Sequence, residues 1–430
     1  MMMTHEAAQD APDPSQATQE RRQPRQRLLV IGTLISLALL TFAGWLLATR
    51  PGLFAELQEP TPEPTPTPWP VPMHFDSPEY GINIHMWWDP WAAVRRDWPL
   101  VRDAGFTWVK QRLAWLDVEG AGPGRYVWAG SDRIVKEAEE AGVNLVFRVD
   151  QPPLWAIPTE QDAEGRMLPV DVTAFGIFCH AMAERYKGRI AGYQIWNEPN
   201  LAREWNGLIP NPADYVAVLR ACYVGVKTAD PEALVISAGL SPTGSGPPAA
   251  MPDVDYLKGM YEAGALPYFD LLGLNAPGYK AAPEVSPEEA ADPANGYGGH
   301  QVFCFRHVEN MRVIMEQYGD SDKQVAILEF GWHTDNRPEN PDYAWFAVTP
   351  EQQADYLVRA FRYAHEHWSP WIGPMFVWNL PDPTWEPQDE EFWWSIVDPF
   401  LWGLGDGDFD TWPGGAVRPA YTALAEMEKP

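Results

Sequence analysis

Two glutamates occupy positions from which they could do chemistry. Glu198 follows the apolar and aromatic residues of "YQIWNEPN", and Glu329 follows the apolar residues of "QVAILEFGWHT". A single glutamate at a strand end is most often a solvated loop residue. Two of them that face each other would form the minimal set for cleaving a glycosidic bond, in which one protonates the leaving oxygen and the other attacks the anomeric carbon.

The elements around these glutamates alternate in a regular order. Between about residues 78 and 430, short apolar runs alternate with amphipathic helical patterns, several of which end in glycine. This order predicts an α/β fold, a parallel (β/α)8 TIM barrel. An open doubly wound sheet is the alternative, but no glycine-rich phosphate loop follows the first strand. The predicted strands are "YGINIHMWW", "FTWVKQRLAW", "VNLVFRVDQ", "IAGYQIWNEP", "ALVISAGL", "DLLGLNAPGY", "QVAILEFGWHT" and "IGPMFVWNL".

The barrel explains why a strand would end in a carboxylate. Chemistry in this fold sits at the carboxyl ends of the strands, which together form the mouth of the barrel. Glu198 ends the fourth predicted strand and Glu329 the seventh, so the two face each other across the mouth. At a separation of about 5 Å, their mutual repulsion should raise the pKa of one carboxyl and so assign the acid and the nucleophile.

The segments "WNEPN" and "EFGW" resemble the signatures of clan A glycoside hydrolases, with families 39 and 5 the most similar in kind. The resemblance covers about residues 78–428 and includes "AWLDVEGAGPGRYVWAGSDRIVKEAEEAGVNLVFRV" and "GLGDGDFDTWPGGAVRPAYTAL". It implies a retaining O-glycosyl hydrolase with a carbohydrate substrate and no metal or organic cofactor. It also implies that Glu198 is the acid/base, that Glu329 is the nucleophile, and that Asn197 binds the sugar 2-hydroxyl.

The same resemblance implies three further residues of the site. Arg112 stands where clan members carry an arginine that holds the nucleophile, here Glu329, and Tyr279 where they carry a tyrosine bonded to it. Trp378 matches the tryptophan that forms the floor of the −1 sugar subsite. The histidine that usually precedes the tyrosine is absent, and Asn275 stands near its place.

Other candidates follow from position at the predicted strand ends. His85 and Asp150 could bind sugar hydroxyls, His333 could line the cleft, and three tryptophans could stack on pyranose rings, although each also fits a packing role. These tryptophans are Trp87, Trp88 and Trp332. The long segment 383–417 is predicted to wall one side of the cleft.

The acidic stretch "DGDFD" at 406–410 has the alternating acids of a calcium loop. It lacks the glycine at the sixth position and the glutamate at the twelfth. We therefore predict a solvated acidic loop and no metal site.

Composition narrows the range of partners. The formal net charge of −28 argues against nucleic acid or anionic lipid as the main partner. The 22 tryptophans favour a ligand with flat apolar faces. Cys179, Cys222 and Cys304 have no CxxC spacing, so zinc is disfavoured. We interpret them as buried apolar residues, with one disulfide as the alternative. The sequence does not define the oligomeric state.

The first 77 residues predict a membrane anchor. Residues 1–27 have the composition of a disordered cytoplasmic tail, and residues 28–48 form an uncharged apolar run about 30 Å long as a helix. Four arginines before this run and one soon after it place the N-terminus in the cytoplasm and the barrel outside the cell. A cleaved signal peptide is the alternative. Residues 49–77, with proline at every second position of 59–72, predict an extended linker.

These features favour a glycosidase at the cell surface over two alternatives. One is a non-catalytic glycan-binding protein on a degenerate barrel, which the tryptophan content would also suit. The other is a transglycosylase, in which a sugar replaces water at the same two glutamates. The intact carboxylate pair and Asn197 disfavour the first alternative.

Overall fold

A ring of parallel strands forms the centre of the molecule. The computed structural model describes residues 75, 77–87, 96–161, 167–399 and 417–429. The predicted tail, anchor and most of the linker lie outside these residues. The strands are β1 Glu79–Ile84, β2 Trp108–Ala114, β3 Asn144–Asp150, β4 Gly192–Ile195, β5 Leu234–Ile236, β6 Leu272–Pro277, β7 Val325–Gly331 and β8 Ile372–Val377.

The strand order closes the ring. It runs β5-β4-β3-β2-β1-β8-β7-β6, so that β1 pairs with both β2 and β8. Parallel bridges from Ile236 to Leu271 and from Leu240 to Leu274 join β5 to β6. The predicted (β/α)8 barrel is therefore confirmed.

Helices connect the strands and cover the outside of the ring. They are α1 Trp98–Asp103, α2 Trp115–Glu119, α3 Ala129–Ala141, α4 Val172–Arg185, α5 Pro212–Ala229, α6 Asp253–Glu262, α7 Pro287–Ala291, α8 His307–Gln317, α9 Pro341–Ala344, α10 Pro350–His367, α11 Glu390–Trp394 and α12 Pro419–Glu426. Helix α10 begins with a capping box, in which Thr349 and Gln352 bond reciprocally to each other's backbone. Helix α3 ends at Gly142, whose left-handed φ of 71° suits glycine.

Alternation along each strand separates two cores. One core lies between the barrel and the helices and includes Val109, Phe147 and Phe330. The other contains residues from several strands, such as Trp108 and Val146, and fills the amino-terminal part of the barrel. Because side chains of a strand alternate between its faces, the residues two positions further along stand above this apolar floor, toward the mouth.

Helices α4 and α5 are joined by a disulfide between Cys179 and Cys222, and Cys304 is free and buried. The interpretation of all three cysteines as unpaired apolar residues is therefore wrong for the first two, and the alternative of one disulfide is confirmed. Within the described part of the chain, no helix is both long enough and apolar enough to span a bilayer. The predicted span at 28–48 lies outside that part.

Candidate active site

A charged layer stands directly above the apolar floor of the barrel. Lys110 lies two residues after Trp108 on β2, and Arg148 lies two residues after Val146 on β3. The two cations therefore share the inward face with the floor residues. Both side chains are largely buried, so they need anionic partners within the barrel.

A β-bulge aims Glu329 at these cations. Ile327 and Phe330 both pack on the helix side of β7, although three positions of a regular strand would place them on opposite faces. The registers with β6 and β8 shift at this point, which leaves Leu328 as the extra residue. Its carbonyl accepts a hydrogen bond of 3.0 Å from Asn83 Nδ2. Leu328 and Glu329 can therefore both face inward.

The carboxyl of Glu329 is held through one oxygen. Lys110 Nζ donates to Glu329 Oε1 at 3.1 Å, and Arg148 Nη1 donates to the same oxygen at 3.4 Å. The Lys110 side chain is only 2% exposed, and its burial lowers its pKa to about 8 against the opposing effect of Glu329. No described residue donates to Oε2, and the Glu329 side chain keeps 16% of its surface exposed. Two cations thus hold the carboxyl through Oε1 and leave part of the side chain exposed.

Glu198 is positioned by an irregular turn after β4. Trp196 and Glu198 both have left-handed backbones, with φ of 70° and 38°. The turn is fixed because the Glu198 amide donates to the Gly239 carbonyl at 3.1 Å. In the side chain, Oε1 accepts a hydrogen bond of 3.0 Å from Asn275 Nδ2, and Oε2 accepts one of 3.2 Å from Arg203.

The environment of Glu198 favours its protonated form. Burial raises the pKa of Glu198, and the negative charge of Glu329 raises it further. The Arg203 guanidinium and the hydrogen bond from Asn275 oppose this rise. The predicted repulsion between the two glutamates is present, but burial is the larger cause.

Asn275 connects the two glutamates. It pairs in register with Glu329 between β6 and β7, and its amide donates to Glu198. Both glutamates line one cavity of about 510 Å³ at the carboxyl ends of the strands, a volume that suits a small-molecule ligand. The predicted convergence of Glu198 and Glu329 on one opening is confirmed.

No protein-family profile matches the sequence, and no curated protein sequence matches it. Similarity is found among solved structures. A family 39 glycoside hydrolase from the gut symbiont Bacteroides cellulosilyticus WH2 is 20% identical with a TM-score of 0.57, over 83% of this chain and 64% of that one. This chain therefore spans less than two thirds of the Bacteroides protein.

Two further solved structures have a similar fold. The GH5_18 protein from Streptomyces cattleya, solved in complex with GlcNAc, is 14% identical with a TM-score of 0.55, over 83% of this chain and 82% of that chain. Xylanase XynB from Paenibacillus barcinonensis is 15% identical with a TM-score of 0.52, over 82% of this chain and 96% of that chain. At such identities the likeness establishes the barrel fold.

Arg112 does not contact Glu329. Its Nε donates instead to Asp150 Oδ1 at 2.9 Å, so the expected contact between Arg112 and the candidate nucleophile is wrong. Lys110 takes that place because it lies two residues earlier on the same face of β2, one layer deeper in the barrel. Arg112 itself lines the cavity. Asp150 is buried between Arg112 and Arg148 and pairs with both.

Tyr279 also differs from its expected contact. Its hydroxyl donates to the Pro242 carbonyl at 3.1 Å rather than to Glu329. It does line the cavity, as do Asn197 and Trp378. Asn197 accepts a long hydrogen bond of 3.4 Å from Gln194. The sugar-binding roles of these side chains stay predictions.

His85 packs against a tryptophan of the cavity wall. Its ring packs edge-on against Trp378, with centroids 5.4 Å apart, and at 4.6 Å from Trp385. Burial, together with the charges of Arg148, Lys110 and Arg112, lowers the pKa of His85 to about 3. His85 is therefore a neutral imidazole at physiological pH, and its Nε2 has no hydrogen-bond partner within the described structure.

Two other predicted residues are buried away from the cavity. Trp332 is fully buried, and its Nε1 donates to the Ala281 carbonyl at 2.8 Å, so the predicted stacking on a sugar does not fit its position. His333 is also fully buried, and burial lowers its pKa to about 4. Trp87 is partly buried and packs against the core. Trp88 and the stretch 406–410 lie outside the described residues.

The predicted wall after β8 is confirmed in its described part. Helix α11 contributes Glu390, Glu391 and Trp394 to the cavity. Glu390 is fixed there, because Tyr343 and Trp394 both donate hydrogen bonds to its carboxylate.

The sequence reasoning missed several charged residues around the site, among them Lys110, Arg148 and Arg203. Because side chains alternate along a strand, Lys110 is expected on the same face of β2 as Arg112. The same alternation on β3 links Asp150 with Arg148. Arg203 lies in a short 3-10 turn, Ala202–Glu204, and no periodic pattern marks it.

Proposed function

We propose that this protein is a retaining O-glycoside hydrolase that cleaves extracellular oligo- or polysaccharides by double displacement. The observation that carries the proposal is the contrast between two carboxyls in one cavity. Glu329 is ion-paired with two cations, whereas burial raises the pKa of Glu198. Glycoside hydrolysis requires one carboxyl group that donates a proton and a second that attacks as the carboxylate.

In the first step, Glu329 Oε2 attacks the anomeric carbon while Glu198 donates its proton to the glycosidic oxygen. The bond from the carbon to that oxygen breaks, and a glycosyl ester forms on Glu329. In the second step, Glu198, now ionised, accepts a proton from water as the water oxygen attacks the same carbon. The ester breaks, and both carboxyls return to their starting states.

The direct test replaces each glutamate in turn. We expect Glu329→Ala to lower turnover of an aryl glycoside by at least about 10⁴-fold, because the nucleophile is lost. Azide should partly restore activity by attacking the sugar in place of Glu329, giving a glycosyl azide of inverted configuration. Glu198→Ala should give a glycosyl azide of retained configuration.

A wild-type level of turnover in Glu329→Ala would contradict the mechanism. Glu232→Ala is a matched control, because Glu232 lines the separate cavity at the amino-terminal end of the barrel. A panel of aryl glycosides and polysaccharides identifies the sugar. A protein that binds oligosaccharide but releases no reducing ends from any of the panel would instead be a glycan-binding protein.

We further propose that residues 28–48 anchor the barrel on the outside of the cell membrane. The apolar run and its flanking arginines support this placement. The disulfide between Cys179 and Cys222 also supports it, because such bonds persist mainly outside the cytosol. In fractionated cells the full chain should sediment with membranes, and protease added to intact cells should release the barrel. Recovery of the whole chain in the soluble cytosolic fraction would refute this placement.

A further inference from the structure

An exposed tryptophan lies beside the cavity without a role in the chemistry described above. Trp345 directly follows α9 and is 40% exposed. Its ring is nonetheless held in place by two phenylalanines. The ring centroids of Phe303 and Phe346 each lie 5.1 Å from that of Trp345. Gly298 approaches so closely that a Cβ there would lie 2.8 Å from the six-membered ring of Trp345. A fixed flat ring that stays exposed is suited to stacking on a ligand.

The aromatic surface of Trp345 is continuous with the cavity. Tyr279 and Phe346 both line the cavity, and both contact Trp345. The rings of Tyr279 and Trp345 are nearly parallel, at an angle of 23° with centroids 6.2 Å apart. A ligand that fills the cavity and extends past Tyr279 therefore reaches Trp345 next.

This surface lies on the side of the acid/base candidate. The Tyr279 hydroxyl donates to the Pro242 carbonyl, three residues from Gly239, which binds the Glu198 backbone. After burial, the charge of Glu198 is the largest cause that raises the pKa of Tyr279. Because the acid protonates the departing oxygen, the leaving group of a bound glycoside extends toward Glu198.

We propose that Trp345, together with Tyr279, forms a subsite for a second sugar ring on the leaving-group side. The inference rests on the proposed hydrolase function and deepens it. The ligand of this subsite is a pyranose ring that presents a face of C–H groups to the tryptophan. It is linked to the sugar that carries the leaving oxygen. The preferred substrate is then an oligosaccharide or polysaccharide with at least two sugars beyond the scissile bond, rather than a glycoside with a small leaving group.

The test compares two substrates that share the glycosyl group. A glycosyl fluoride has a leaving group too small to reach Trp345, whereas an oligosaccharide of the same linkage places its second leaving-side sugar there. We expect Trp345→Ala to lower kcat/KM about tenfold for the oligosaccharide, the order of one stacked ring. It should change kcat/KM for the fluoride less than twofold. Trp345→Leu, which keeps apolar bulk without a flat ring, should behave like Trp345→Ala.

Trp371→Ala is the matched control. Trp371 is also partly exposed, but it directly precedes β8 at the opposite end of the barrel, so both substrates should be unaffected per folded molecule. Equal losses on both substrates in Trp345→Ala, or no loss on either, would overturn the subsite.

A wild-type protein that turns over neither substrate would contradict the hydrolase proposal but would still leave the subsite testable. Oligosaccharide binding to Glu329→Gln and to Glu329→Gln/Trp345→Ala is then compared by calorimetry. A loss of affinity of about tenfold in the double variant would support the subsite. Equal affinities would refute it.

Discussion

The barrel buries a lysine against a carboxylate near each of its ends, and the two pairs differ in what else surrounds them. At the amino-terminal end, Lys227 Nζ lies 2.6 Å from Asp270 and also donates to the Ala233 and Pro231 carbonyls. Asp270 in turn accepts a bond of 2.7 Å from the Val235 amide. This pair has the satisfied hydrogen bonding of a structural contact.

The pair at the mouth is less completely satisfied. Lys110 donates its one described hydrogen bond to Glu329, which lines the cavity. Lys110 and Glu329 are thus held in place by fewer described hydrogen bonds than Lys227 and Asp270. The comparison separates a buried ion pair that stabilises the fold from one that, in the proposed mechanism, prepares a carboxylate to react.

Removing each lysine should have a different effect: loss of kcat at the mouth and loss of stability at the amino-terminal end. In Lys110→Met, Glu329 loses its closest cation, and we expect kcat to fall by about 10²–10³-fold, the range for losing one preorganised electrostatic contact. In Lys227→Met, Asp270 is left buried without its partner, and we expect a loss of about 3–5 kcal/mol in the free energy of unfolding. Urea denaturation and kcat per folded molecule, measured on both variants, separate the two effects.

Conservative variants sharpen this result. Lys110→Arg keeps a positive charge beside Glu329 and should recover part of the lost kcat. If kcat per folded molecule fell as far in Lys227→Met as in Lys110→Met, the ion pair at the amino-terminal end would not be purely structural. The contrast between the two pairs would then be wrong.

Lys110 should also give the stability of the protein a distinct pH dependence. Burial lowers the pKa of Lys110 to about 8, from an ordinary value of 10.5. Between these values the unfolded chain holds more protons than the folded one, so the contribution of Lys110 to the free energy of unfolding rises with pH. The slope in this window is at most about 1.4 kcal/mol per pH unit, and it disappears above pH 10.5.

The difference in the free energy of unfolding between wild type and Lys110→Met isolates this contribution from the titration of other groups. Urea denaturation at pH 7.5, 9 and 10 should show the difference shifting in favour of the wild type. A difference that is constant over this range, or that shifts the other way, would show that the pKa of Lys110 is not lowered.

The sequence predicted the barrel and the meeting of its two glutamates because both depend on local patterns. Apolar runs mark the strands, and a strand end fixes where Glu198 and Glu329 emerge. Depth within the barrel was harder to predict, because Lys110 and Arg112 lie on the same face and differ only in the layer that they occupy. Once Glu329 faces inward, however, alternation alone puts Trp332 on the helix side, where it lies.

Other features depend on contacts between distant segments. The extra residue Leu328 is recognised only from the registers with β6 and β8. The disulfide joins residues 43 positions apart on neighbouring helices, and no spacing rule selects that pair. Arg203 reaches Glu198 from an irregular turn, so its contact follows from the folded backbone rather than from any repeat in the sequence.

Arg203 should give the smallest of these effects, because it is an exposed charge beside the site whereas Lys110 is a buried one. Its side chain is 71% exposed, unlike that of Lys110, so solvent and salt screen its effect on Glu198. The Arg203 guanidinium lowers the pKa of Glu198. Arg203→Ala should therefore raise that pKa and move the alkaline limb of kcat/KM, where the acid loses its proton, to higher pH.

The expected shift is small, and it should shrink in high salt in the wild type because the screened guanidinium then acts less on Glu198. Arg189→Ala is the matched control, since it removes the same charge from an exposed pair with Glu139. If both variants moved the alkaline limb equally, the overall charge rather than the contact with Glu198 would be the cause. If Arg203→Ala moved the limb to lower pH, the assignment of Glu198 as the proton donor would fail, because losing a neighbouring cation cannot make a carboxyl group more acidic.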